Sequence, residues 1–147
     1  MLRIYLAGSI FTPYERDFLA GCAERLRAEG FDVFVPHEQG LVGLDATPDA
    51  VFAVDAGGVE SADAVLAVLD GPSVDDGTAC EIGLFHGLKQ RNPARKGVVG
   101  LLPDLRAERR GDVAVHLFVR GCIEASGGAV VDSLEEALTI FHRWRSD

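Results

Sequence analysis

No run of apolar residues in this 147-residue chain approaches the roughly 20 that a membrane-spanning helix needs. Basic residues are scarce: 14 Lys and Arg against 23 Asp and Glu leave a net charge of −9. A surface of that sign repels nucleic-acid phosphates and acidic membrane faces, so no nucleic acid and no membrane is expected as a partner. Cysteine is limited to Cys22, Cys80 and Cys122, odd in number and without ligand spacing. That excludes a disulfide framework and a zinc site, and fits a reducing, cytoplasmic setting. His37, His86 and His142 also lack metal-ligand spacing. The phosphate-cradling patterns GxGxxG and GxxxxGK[ST] are missing. A signal peptide is not expected either, because the apolar start MLRIYLAGSIF runs straight into Tyr14-Glu15-Arg16-Asp17 with no cleavage-site pattern.

What is present is a regular alternation of short apolar runs and longer amphipathic stretches. The runs Leu2–Ala7, Phe31–Val35, Asp63–Leu69, Gly97–Leu102 and Ala129–Val131 read as strands. Helical spacing is expected over Pro13–Glu29, Pro48–Glu60, Thr78–Gln90, Val113–Ala125 and Ser133–Trp144, the last opened by a Ser133/Glu136 capping box. The stretch Gly40–Thr47 reads as a glycine-rich mobile loop. DAVLAVL at 63–69 is apolar throughout, as a central parallel strand covered on both faces should be. The alternation predicts a single α/β domain over 1–147, an open five-stranded parallel sheet between two helical layers.

Ligands of such sheets bind beyond the carboxyl ends of the strands, where the strand order switches. Here that selects the loops after the first and third strands, with Gly8, Ser9 and the stretch from Asp70 to Glu81. Within DDGTACEIG, Thr78 and Glu81 match a capping box, and either a capping or a catalytic role is expected to leave Glu81 ionised at a helix N-terminus. Capping does not account for Asp75 and Asp76, because further like charge at one helix end is unfavourable. The alternative is a nucleophilic carboxylate at the mouth of a cleft. The residues alone leave both open. Asp76 reads as a turn residue, and Cys80 as a small packing residue.

IYLAGSIF at 4–11, VDAGGVESADAVLAVLDG at 54–71, DDGTACEIG at 75–83 and VHLFVRG at 115–121 together resemble the nucleoside 2-deoxyribosyltransferases. The resemblance implies a flavodoxin-like three-layer sandwich. It also implies transfer of 2-deoxyribose between nucleobases through a covalent intermediate on Glu81. Asp55 would exchange a proton with the base, Tyr5 would position the nucleophile, and Asp75 would accept sugar hydroxyls. Gly8, Ser9 and Gly77 fall at substrate-binding positions, and Gln39 lies near a base-contacting glutamine. His116 stands where the family typically has an asparagine that reaches the neighbouring subunit's sugar 5′-hydroxyl. The partners implied are small nucleosides and nucleobases, in a homo-oligomer with sites near subunit contacts. No metal or organic cofactor is implied, since acid, base and nucleophile are all side chains.

Two other functions compete. Related N-glycosidases hydrolyse deoxynucleoside 5′-monophosphates, but they carry an arginine-rich first loop and a serine near position 75, where this chain has GSIFTPYERD and an acid. A phosphate beside Asp75 is repelled. Hydrolysis of plain nucleosides stays open. A non-catalytic nucleotide-sensing module would need no nucleophile, which counts against it.

Overall fold

The computed structural model describes residues 1–40, 46–106 and 114–147. Among them, strands β1 (Arg3–Ala7), β2 (Asp32–Phe34), β3 (Ala64–Val68), β4 (Val98–Leu101) and β5 (Ala129–Val131) alternate with five α-helices. These are α1 (Pro13–Ala28), α2 (Pro48–Ser61), α3 (Asp76–Arg91), α4 (Leu117–Ala125) and α5 (Leu134–Ser146). The strands form one parallel sheet in the order β2-β1-β3-β4-β5. The chain therefore steps one way from β1 to β2 and the other way from β3 onward, which puts the topological switch between β1 and β3.

Alternation along each strand sorts side chains between two apolar layers. Ile4 and Leu6 of β1 join Leu19, Leu26, Phe141 and Trp144 under α1 and α5. Tyr5 and Ala7 join Val59, Ile82, Phe85 and Ile123 under α2, α3 and α4. Burial of both faces explains why the central strands carry almost no polar residue.

Local chemistry sets the helix starts. Thr12 and Glu15 form a complete capping box at α1, with Pro13 in the first turn. Thr47 caps α2 ahead of Pro48, and Ser133 caps α5 by accepting from the Glu136 amide at 3.4 Å. Two elements depart from the sequence reading. A 3₁₀ turn spans Pro36–Gln39, where Pro36 sets a helical φ and Gly40, at φ +78°, closes the turn in the left-handed region. The fourth helix starts at Leu117 with His116 as its N-cap, and the expected start at Val113 lies outside the described residues. Most of the expected loop at Gly40–Thr47 also lies outside them.

Candidate active site

A cavity of about 490 Å³ opens at the switch point. Gly8, Ile10, Phe11 and Arg16 bound it on the β1–α1 side, Val51 and Asp55 of α2 on another, and Asp75, Asp76, Gly77, Thr78 and Glu81 at the start of α3. A hollow of equal volume lies beyond β4 and β5 among Asp104, Asp132 and Glu136. It sits away from the switch and from the 75–83 segment.

The cap of α3 is Asp75, not Thr78. Its Oδ2 accepts from the Thr78 amide at 3.0 Å and from the Thr78 hydroxyl at 3.2 Å. The capping-box reading of Thr78 and Glu81 is thus overturned: Thr78 is buried and serves as donor to Asp75. Asp76 is the first residue of the helix rather than part of a turn. Glu81, more than a helical turn further in, points toward the sheet, where the Tyr5 hydroxyl donates to its Oε1 at 2.5 Å. Tyr5 is fully buried and stacks on Phe34, with ring centroids 5.5 Å apart.

Burial beside that ring changes the charge expected of the carboxylate. Desolvation pushes Glu81 up to about 8, with the charges of Asp55 and Asp75 adding to the rise and the Tyr5 hydrogen bond opposing it. The expectation of an ionised Glu81 fails for a geometric reason: Asp75 takes the helix-terminal N–H, and Glu81 faces a low-dielectric pocket. Burial also raises Asp55 above the usual carboxylate range. Tyr5 is driven far above its ordinary value by desolvation and then by Glu81, so its hydroxyl stays protonated as a donor.

Glu81, Asp55, Asp75, Gly8 and Gly77 therefore share one cavity, with Tyr5 bonded to Glu81 from below. Three other expected residues lie apart. Ser9 borders a neighbouring hollow with Asp70 and pairs with Glu15. Gln39 is exposed and donates its amide to the Val35 carbonyl at 3.1 Å. His116 is exposed, and its Nδ1 accepts from the Phe118 amide at 3.2 Å. Cys80 is exposed rather than packed. Arg16, Phe11 and Val51 are lining residues that the sequence reading does not single out. Arg16 stands on the helix that follows the β1 loop, so the switch-point rule was the available signal. Its Nη1 donates to the Ile10 carbonyl at 2.7 Å, and it is the one cation among the described lining residues. No group of three His, Cys, Asp or Glu among the described residues is arranged to hold a metal ion.

Known proteins share this architecture. A conserved protein from Enterococcus faecalis V583 superposes with a TM-score of 0.79 at 26% identity, over 97% of this chain and 99% of its own. A 2-deoxyribosyltransferase from Bacillus psychrosaccharolyticus gives 0.67 at 23% identity, over 92% and 89% of the two chains. The CMP N-glycosidase BcmB of Clostridium botulinum gives 0.60 at 19%, over 97% and 98%. At those two identities the likeness is one of fold. No curated protein sequence matches the chain. The family model for nucleoside 2-deoxyribosyltransferase, however, matches residues 4–135 and so takes in every residue of the cavity. On that match, the chain belongs to the nucleoside 2-deoxyribosyltransferase family.

Proposed function

We propose that the protein moves 2-deoxyribose between nucleobases. The observation that carries this reading is the Tyr5–Glu81 hydrogen bond at the wall of a cavity that also holds Asp55 and Asp75. The Glu81 carboxylate attacks C1′ of a 2′-deoxynucleoside as the C1′–N bond breaks and Asp55 gives a proton to the departing base. The product is a deoxyribosyl ester on Glu81. An acceptor base attacks C1′ of that ester, returns its proton to Asp55 and frees the carboxylate. Two inversions keep the anomeric configuration, as in a retaining glycosidase.

The raised carboxyls fit this sequence of steps. With Glu81 held up to about 8 and Asp55 raised as well, the pair carries a proton at neutral pH. At neutral pH that proton rests mainly on Glu81, so attack draws on the state in which it has moved to Asp55, which arms nucleophile and acid together.

A homo-oligomer is part of the reading. Phe52 and Leu84 are exposed and border an apolar hollow that shares Asp55 and Glu81 with the cavity, so a second copy seated there closes the site from the side. One observation favours a second reaction. Arg16 is a cation in a cavity whose other charged lining residues are acids, and a guanidinium pairs well with phosphate, as hydrolysis of a 5′-monophosphate would require.

Incubation with deoxyinosine and, separately, its 5′-monophosphate, each with adenine and followed by chromatography, separates the readings. Transfer yields deoxyadenosine, hydrolysis releases deoxyribose or its 5′-phosphate, and a sensor yields neither. We expect transfer, reduced by at least about a hundredfold in Glu81→Ala as for other lost nucleophiles. Full activity in that variant discards the mechanism.

A further inference from the structure

We propose that Thr78 is a specificity-determining residue, holding one oxygen of Asp75 so that only the other is open to sugar hydroxyls and 2-deoxyribose is favoured over ribose. The inference rests on the transfer reading above. A carboxylate oxygen offers two lone-pair sites. Asp75 Oδ2 has both filled, by the Thr78 amide at 3.0 Å and the Thr78 hydroxyl at 3.2 Å. Among the described residues nothing donates to Oδ1, and Asp75 lines the cavity, so that oxygen is the one left for substrate.

The arrangement is held on both sides. Thr78 is only 1% exposed, so its hydroxyl has no solvent to turn to, and Asp75 is its partner. On the other side, a Cβ at Gly77 would stand 3.2 Å from Oδ2, so the carboxylate already packs closely against that backbone. A ribose presents two adjacent hydroxyls, and a carboxylate receives such a pair best with one donor on each oxygen. With Oδ2 occupied, the second hydroxyl of ribose has to crowd onto Oδ1 beside the first, at poorer geometry, and a poorly met buried hydroxyl costs binding. A 2-deoxyribose brings only the 3′-hydroxyl of that pair and loses nothing.

Thr78→Val keeps the shape and the amide but removes the hydroxyl, which reopens one site on Oδ2, whereas Thr78→Ser keeps it. The experiment supplies deoxyinosine and inosine as donors with adenine as acceptor, and reads kcat/KM for each donor in wild type and both variants. We expect the deoxy-to-ribo ratio to fall by about tenfold in Thr78→Val, the size of one hydrogen bond to a charged group, and to return to the wild-type ratio in Thr78→Ser. Equal loss on both donors in Thr78→Val, with an unchanged ratio, marks Thr78 as merely structural and overturns the inference. If thermal melting shows the valine variant unfolded, Thr78→Ala carries the same test. Wild type that transfers from neither donor overturns the functional reading itself, which is a distinct outcome.

Discussion

At the scale of the residue, Glu81 is a buried carboxyl held at a cost to the fold. Its carboxyl sits against Tyr5 in a partly buried pocket, and desolvation raises it to about 8. In an unfolded chain the same group ionises near its ordinary value of 4.5. The native state therefore holds the proton more tightly than the unfolded state between those values. Stability contributed by the neutral carboxyl is present at low pH and is lost as pH rises through that window. Glutamine has the shape of the neutral acid and does not ionise. We expect Glu81→Gln to melt a few degrees above wild type at pH 8, and to melt with it at pH 4, where both states of the wild type are largely protonated. Equal melting temperatures at the two pH values, measured by calorimetry, refute the assignment of a destabilised carboxylate.

At the scale of the element, the sheet is legible because its signal is local. Each strand is a short apolar run, each helix a contiguous amphipathic stretch, and the switch between β1 and β3 follows from their order. Asp75 and Glu81 are legible together because they lie in one stretch of nine residues. What joins Tyr5 to Glu81 is not local: the hydrogen bond spans 76 positions and exists only once β1 and α3 pack together. Arg16 is hidden for the same reason, since a helix on one face of the sheet reaches the cavity only over the strand ends. The charge of Glu81 is not legible either, because a helix-start pattern does not say which acid takes the cap, and here it is Asp75. A paired feature of α2 tests this packing. A Cβ on Gly58 would fall 2.5 Å from Phe34 Cε1 and 2.8 Å from Tyr5 Cε2, whereas one on Gly57 meets nothing within 4 Å. Alanine at either position gains helix propensity of up to about 1 kcal/mol. At Gly58 the clash displaces the Tyr5–Phe34 pair and costs about 1–3 kcal/mol. We expect Gly57→Ala to raise the melting temperature with activity intact. Gly58→Ala should lower it and weaken turnover, since Tyr5 shifts from under Glu81. Two variants moving in the same direction would contradict the packing.

At the scale of the whole molecule, the apolar surface left over bears on assembly. Phe52 is 71% exposed on α2, and Leu117 and Phe118 are 67% and 76% exposed on α4. Both helices pack against α3, the helix that carries Glu81, so the exposed rings lie on the same side of the sheet as that carboxyl. A net charge of −9 opposes contact between copies, so association has to rest on apolar burial. Added salt screens the repulsion and leaves the apolar term, which distinguishes this contact from one built on ion pairs. In a two-fold contact the same ring is buried once from each partner, so a single substitution acts twice. Each phenylalanine buried contributes about 1.5–3 kcal/mol. Phe118→Asp, remote from the cavity lining, should therefore weaken association by at least about a hundredfold. Light scattering on the eluting protein is the measurement. We expect wild type to run as a dimer or larger, tighter at higher salt, and Phe118→Asp to run as a monomer. A monomeric wild type at every salt concentration removes the second copy from the site and leaves transfer to a single chain.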